Sequence, residues 1–234
     1  MFSDIISTIA LSFNKTFLRE SRYKMFMTGF KNTIIVALAA TLIGIILGSL
    51  VAVVKTVHKQ TGKLKVLNFI CELYTTVIRG TPVVVQLLIM YNVIFIASKH
   101  SVLVGILGFG INSGAYVAEI MRAGINAVDI GQTEAGRSLG LTSSLTMRNI
   151  VLPQALKNVL PALGNEFISI LKETSVIGFL GVIDLTKAAE RVISRTADVY
   201  FPYISIAMIY LILVYGLNFL FKKMERRFAK SDRG

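Results

Sequence analysis

Few residues in this chain are equipped for chemistry, and most of them lie inside or beside apolar runs. Glu166 follows Asn165 within an apolar stretch, Asn158 to Ile183, that also holds Lys172 and Glu173 and closes on Asp184. Glu119 and Arg122 stand three apart at the end of another such run. A carboxylate inside an apolar run is costly and is kept where it faces a partner or a cavity. Glu119 therefore has two readings: an ion pair with Arg122, which the i,i+3 spacing favours, or a place on a substrate path. Lys172, Thr174 and Ser175 fit a polar strip between packed helices. Hydrolysis finds no support, because G-x-x-x-x-G-K-[ST], G-x-S-x-G and H-E-x-x-H are all missing. The glycine-rich stretch Gly105–Gly110 lacks the lysine that a phosphate loop requires. His58 and His100 are isolated in polar loops and read as solvated rather than metal-bound. Cys71 is alone, so no intrachain disulfide can form.

The elements that must position these residues follow from composition. Of 234 residues, 54% are hydrophobic and 16% charged, against about 25% charged in soluble domains. Disorder and an ordinary cytosolic enzyme both fit poorly. Charge-free runs cover Asn32–Val54 (23 residues), Gly80–Ser98 (19), Ser101–Ala118 (18) and Val199–Phe221 (23). About 20 apolar residues cross a hydrocarbon core, so these runs and the interrupted Asn158–Ile183 predict five transmembrane helices. The net charge of +12 is then an orientation signal, not a nucleic-acid footprint. With the N-terminus outside, 14 basic residues fall on inner segments and 9 on outer ones, which favours N-out and C-in. The five basic residues before the first run argue the other way. The N-terminal segment is not a secretory signal, because its apolar part is broken and its basic residues follow rather than precede it.

Between the runs lie two shorter features. Val66, Phe69, Ile70, Leu73 and Val77 recur at helical spacing, with Lys65, Asn68, Glu72, Thr75 and Arg79 on the other face. That pattern predicts an amphipathic helix at the interface, ending in Arg79-Gly80-Thr81-Pro82, with Thr81 capping a helix that starts at Pro82. Gly44 and Gly48 form a small-x-x-x-small pair, which marks either a packing face or the ordinary glycine content of a membrane helix. The polar loop after Arg122 predicts a helix from about Gln132 to Leu139, stopped by a left-handed Gly140 with Leu141 packing back. Thr142 or Ser143 then caps a second short helix, which runs to Leu152 and is broken by Pro153.

This loop resembles the EAA loop of permease subunits of ABC importers. It reads Glu134-Ala135-Gly136, then Gly140, then Ile150-Val151-Leu152-Pro153, with Gly136 where the pattern has a second alanine. More of the chain is similar to the polar amino-acid permeases, those of histidine, arginine, glutamine and cystine importers. The matching residues run in order from Thr33 through Arg79–Pro82, Ala115–Ile125 and Leu160–Asn165 to Lys172-Glu173-Thr174-Ser175.

The resemblance spans about residues 28–225 and implies an all-α type I ABC-importer transmembrane domain. Residues 1–27 would be an extracytoplasmic segment, about 129–157 a cytoplasmic coupling loop, and 226–234 a basic cytoplasmic tail. It also implies partners: cytosolic ATP-binding subunits, a second permease copy or paralogue, an extracytoplasmic amino-acid-binding protein, and lipid of a bacterial cell membrane. No cofactor would sit on this chain, ATP and magnesium belonging to the partner ATPase. Glu134, Ala135, Gly136, Gly140, Leu152 and Pro153 would form the ATPase-coupling element. Glu166, Asn165 and Glu119 are candidates for the substrate path. Glu166 would meet an ammonium or cationic side chain, or else form an internal ion pair with Lys172, and Asn165 would supply both a donor and an acceptor. A stand-alone secondary transporter or channel is the rival, but it would normally show an internal repeat and paired membrane acids, and the sequence has neither.

Overall fold

The computed structural model describes residues 2–230, and the regular structure among them is helical. Helix α1 (Phe2–Phe13) leads through a π turn and a kink at Glu20 and Ser21, both at positive φ, into α2 (Tyr23–Thr61). Next come α3 (Lys65–Arg79) and α4 (Val83–Ile89), the latter prolonged by a π turn to Ile94, and then α5 (Ser101–Asn126). Two short helices, α6 (Ile130–Ser138) and α7 (Ser143–Thr146), precede α8 (Leu152–Glu173). A 3₁₀ segment, Thr174–Leu180, connects to α9 (Leu185–Thr196), and α10 (Tyr200–Lys230) follows. Residues 231–234, the end of the expected basic tail, lie outside the described residues.

Helices α2, α5 and α10 are each long and apolar enough to cross a membrane, and α3 with the segment to Ile94 qualifies as one span bent by 107°. Helix α8 has the length, 22 residues, or about 33 Å, but carries Asn165, Glu166, Lys172 and Glu173. The bounds differ from those of the charge-free runs. Helix α2 starts nine residues ahead of Asn32 and runs 39 residues, because Lys24 and Lys31 end a charge-free run without interrupting a helix. The second run stops at Ile94, where the Phe95 amide bonds back to the Met90 carbonyl. In the interrupted stretch Asn158–Ile183, α8 stops at Glu173, and Thr174 Oγ1 donates to the Leu171 carbonyl at 2.7 Å. Such local back-bonding competes with the α-helical ladder, and the backbone tightens into the 3₁₀ turn.

The seam between α2 and α5 holds the bundle together. A Cβ on Gly48 would lie 2.6 Å from Val117 Cβ, and one on Gly110 would lie 2.7 Å from Ile43 Cγ2. Ala37 and Ala40 on α2 and Ala115 and Ala118 on α5 are buried with them. Close backbone approach of this kind replaces the hydrophobic attraction that lipid removes. Gly44 and Gly48 are thus a packing face toward a neighbouring helix of the same chain. At one end of the seam Gly29 lies against the backbone of Asp184 and Leu185, and Asn32 Nδ2 donates to the Ile183 carbonyl at 2.8 Å. Asp184 caps α9 there, accepting from the Thr186 and Lys187 amides.

Helix α3 is amphipathic as expected, with its faces set opposite to those of a water-soluble helix. Asn68, Cys71 and Thr75 are buried, whereas Val66 is 75% exposed and Phe69 65%. In a membrane protein the apolar side belongs to lipid and the polar side to the protein. The corner after α3 is also corrected by one residue. Pro82 occupies the cap position and α4 begins at Val83, while Thr81 Oγ1 donates back to the Val77 carbonyl. Gln86 ties the corner, donating to the Ile78 carbonyl and to Thr81.

Candidate functional site

The coupling element expected from sequence is a compact pair of helices. Asp129 opens α6, its side chain accepting from the Gly131 amide at 2.6 Å. Gly140 closes it at φ +79. The Leu141 amide bonds to the Gly136 carbonyl and the Gly140 amide to that of Arg137, the paired bonds of a Schellman closure. Thr142 caps α7, accepting from the Leu145 amide. Gly136 is buried, and a Cβ there would lie 2.7 Å from Thr146 Cγ2 and 2.9 Å from Ile150 Cδ1. The glycine that departs from the EAA pattern is therefore where the two short helices touch.

Pro153 does not break the chain as expected. The helix passes from α7 through a π turn, Met147–Val151, into α8, whose first turn holds Pro153. Proline is tolerated there because its missing N–H has no intrahelical partner to lose. Gln154, two positions into α8, donates to Gln132 Oε1 at 3.1 Å and fixes α6 to the long helix. Glu134 and Ala135 point outward, beside Leu139 at 81% and Ile130 at 74% exposure.

Deeper in the bundle, Glu166 Oε1 accepts from Ser113 Oγ at 2.9 Å. Ser113 is fully buried and lies against Gly44. The alternative partner for Glu166, Lys172, is an exposed residue and does not pair with it. Asn165 is exposed beside it. Pro161 sits inside α8; its ring leaves the carbonyl one turn back without a bond from its own amide. A cleft of about 390 Å³ opens there between α2, α8 and α10, lined by Thr41, Pro161, Gly164, Phe167 and Phe221 among others. Glu166 is absent from that lining and faces α5 instead.

Glu119 is separate from Glu166 and gathers three cations. Arg122 binds it through Nε and Nη2, the latter at 2.7 Å, Arg79 Nη1 lies 3.6 Å away and Lys55 Nζ 3.9 Å. Lys55 also donates to Thr75 Oγ1 at 3.0 Å, and Arg79 stacks over the Tyr116 ring. The Glu119–Arg122 pair read from spacing is present, and the elbow residue Arg79 is drawn into it. Lys55 and Arg79 as partners could not be read from spacing, since they arrive from other helices. Ser113, Gln86 and Asn112 were missed for the same reason. Asn112 Nδ2 donates to Gln86 Oε1 at 3.0 Å, a pairing across 26 positions.

Comparisons with known proteins place the chain in a family. Residues 40–230 match the family described as binding-protein-dependent transport system inner membrane component. The putative glutamine transport system permease of Rickettsia bellii is 40% identical over 195 residues, covering 82% of this chain and 87% of that one. The arginine transport system permease of Bacillus subtilis is 34% identical over 209 residues, covering 88% and 93%. A crystal structure described as an amino acid ABC transporter with histidines superposes at a TM-score of 0.83 with 42% identity, covering 90% of this chain and 98% of that one. An inward-facing methionine ABC transporter at 17% identity has a TM-score of 0.73 and shares the fold. The chain belongs to the binding-protein-dependent transport system inner membrane component family, and it is a multi-pass membrane permease of the ABC transporter type.

Proposed function

We propose that the chain is the permease subunit of an ATP-driven amino-acid uptake system, with five membrane crossings, the N-terminus outside and the C-terminus in the cytoplasm. The observation that carries the coupling half of this reading is the α6–α7 pair. It is rigidly closed by Gly140, Gly136 and Gln154, yet it presents Glu134, Ile130 and Leu139 uncovered. An apolar side chain 81% exposed on a rigid polar knob is what a docking partner covers. Cytosolic ATPase subunits, on which ATP hydrolysis would reside, fit that role. Closure of those subunits would move the knobs of two permease copies and switch the path between its two faces.

The substrate half rests on Glu166. A carboxylate held by a single serine in the bundle interior keeps capacity for an ammonium group, and Asn165 beside it offers a donor and an acceptor. The glutamine and arginine names carried by the relatives support an amino acid as cargo. The test is copurification of the chain with its ATPase from the native membrane. Leu139→Asp should abolish copurification and ATP-dependent uptake while the chain still inserts and folds. Gradient-driven uptake by the purified chain alone, without ATPase, would overturn the reading.

A further inference from the structure

Two clefts meet where the last turns of α2 face α5, α6 and α7. One, of about 550 Å³, is lined by three cations, Lys55, Lys59 and Arg122, with the polar side chains of Gln60, Asn126 and Thr133 among its walls. The other, of about 760 Å³, is lined mostly by apolar atoms from Ala52, Val53, Val57, Met121, Leu152 and Leu156. They are contiguous, sharing Thr56, Gln60, Ile125 and Met147. Glu119 offsets part of the charge of Lys55 and Arg122. Lys59 is exposed and makes no ion pair among the described residues, so the first cleft carries surplus positive charge. A cationic cleft that opens directly into an apolar one fits a ligand with an anionic head and a hydrocarbon tail. Basic pockets between membrane helices on the cytoplasmic side have this character.

We propose that these joined clefts bind an anionic phospholipid, its phosphate held by Lys59 with Lys55 and Arg122 and one acyl chain lying along Val53, Val57 and Leu156. The walls include Ile130 and Thr133 of α6 and Met147 just after α7, so the occupant would brace the α6–α7 pair against α2. This site requires the membrane reading and not the transport reading, because occupancy is measured on the chain alone.

The experiment uses the full chain, delipidated in detergent and reconstituted into discs of phosphatidylcholine doped with phosphatidylglycerol. Retained lipid is then counted by native mass spectrometry. Phosphatidylglycerol should be retained in preference to phosphatidylcholine. Lys59→Gln should lower that preference about fivefold, the factor expected for one basic residue at a membrane surface, and Lys59→Arg should restore it. Leu156→Gln should lower retention too, whereas Lys99→Gln, beyond the opposite end of α5, should leave it unchanged. Equal retention of the two lipids, or no change in Lys59→Gln, overturns the proposal. Displacement of phosphatidylglycerol by millimolar inorganic phosphate with no effect of Leu156→Gln also overturns it, since the cleft would then be a site for free anions. Absence of ATP-driven uptake by the unaltered chain assembled with its ATPase, with lipid retention intact, would count against the transport reading alone.

Discussion

Glu166 is bound by one hydroxyl, Ser113, and Glu119 by three cations. The contrast assigns them different work. A carboxylate already neutralised by Arg122, Arg79 and Lys55 has little left to offer a passing ammonium, so Glu119 reads as the tie that holds α2, α3 and α5 together. Glu166→Gln should therefore lower amino-acid uptake about tenfold, the loss of one charge-assisted hydrogen bond of about 1.5–3 kcal/mol at its lower end. Assembly with the ATPase should be kept, because glutamine still accepts from Ser113. Uptake kinetics in reconstituted vesicles provide the check, and unchanged kinetics would remove Glu166 from the path. From sequence, Glu119 and Arg122 were legible as a pair because they share one helix face. The other two partners were not, because spacing along a chain says nothing about which helices will lie side by side.

At the scale of elements, the closure of α6 was readable almost to the residue. Gly140 takes the left-handed conformation that a side chain resists, at a cost of about 1–2 kcal/mol for an ordinary residue. Gly140→Val should open the α6–α7 corner and uncouple ATP hydrolysis from uptake, whereas Gly140→Asn, which tolerates that conformation better, should retain most coupling. Measuring ATPase stimulation in the assembled complex distinguishes the two. Equal coupling in both variants would show that the corner's geometry is not required. The break expected at Pro153 was misplaced for a physical reason. Proline reads as a stop within a helix but is harmless in a first turn, and the π turn just before it resets which turn that is. Helix α3 shows a second limit: periodicity located both of its faces correctly but could not say which one is inside, because that depends on the solvent.

Across the whole molecule, composition announced a membrane protein and the count of charge-free runs located four of the apolar segments. Orientation rests on the uneven distribution of lysine and arginine, 14 against 9. In a Cys71→Ser background, Ser7→Cys should react with an impermeant thiol reagent added outside intact cells, and Lys222→Cys only after the membrane is opened. Labelling of both positions from the same side would contradict an odd number of crossings.

Helix α2 is 39 residues long, about 58 Å at 1.5 Å per residue, nearly twice the roughly 30 Å hydrocarbon thickness. One end is seated by Gly29 and Asn32 on the start of α9, and the other forms a wall of the cleft beneath the α6–α7 pair. A single unbroken rod thus touches both rims of the protein. If the helix moves as a rigid body, a tilt at one rim reappears at the other in the opposite sense, with no relay of side chains between them. In the proposed transport reading, the angle of this one helix would link the opening of one rim to the closing of the other.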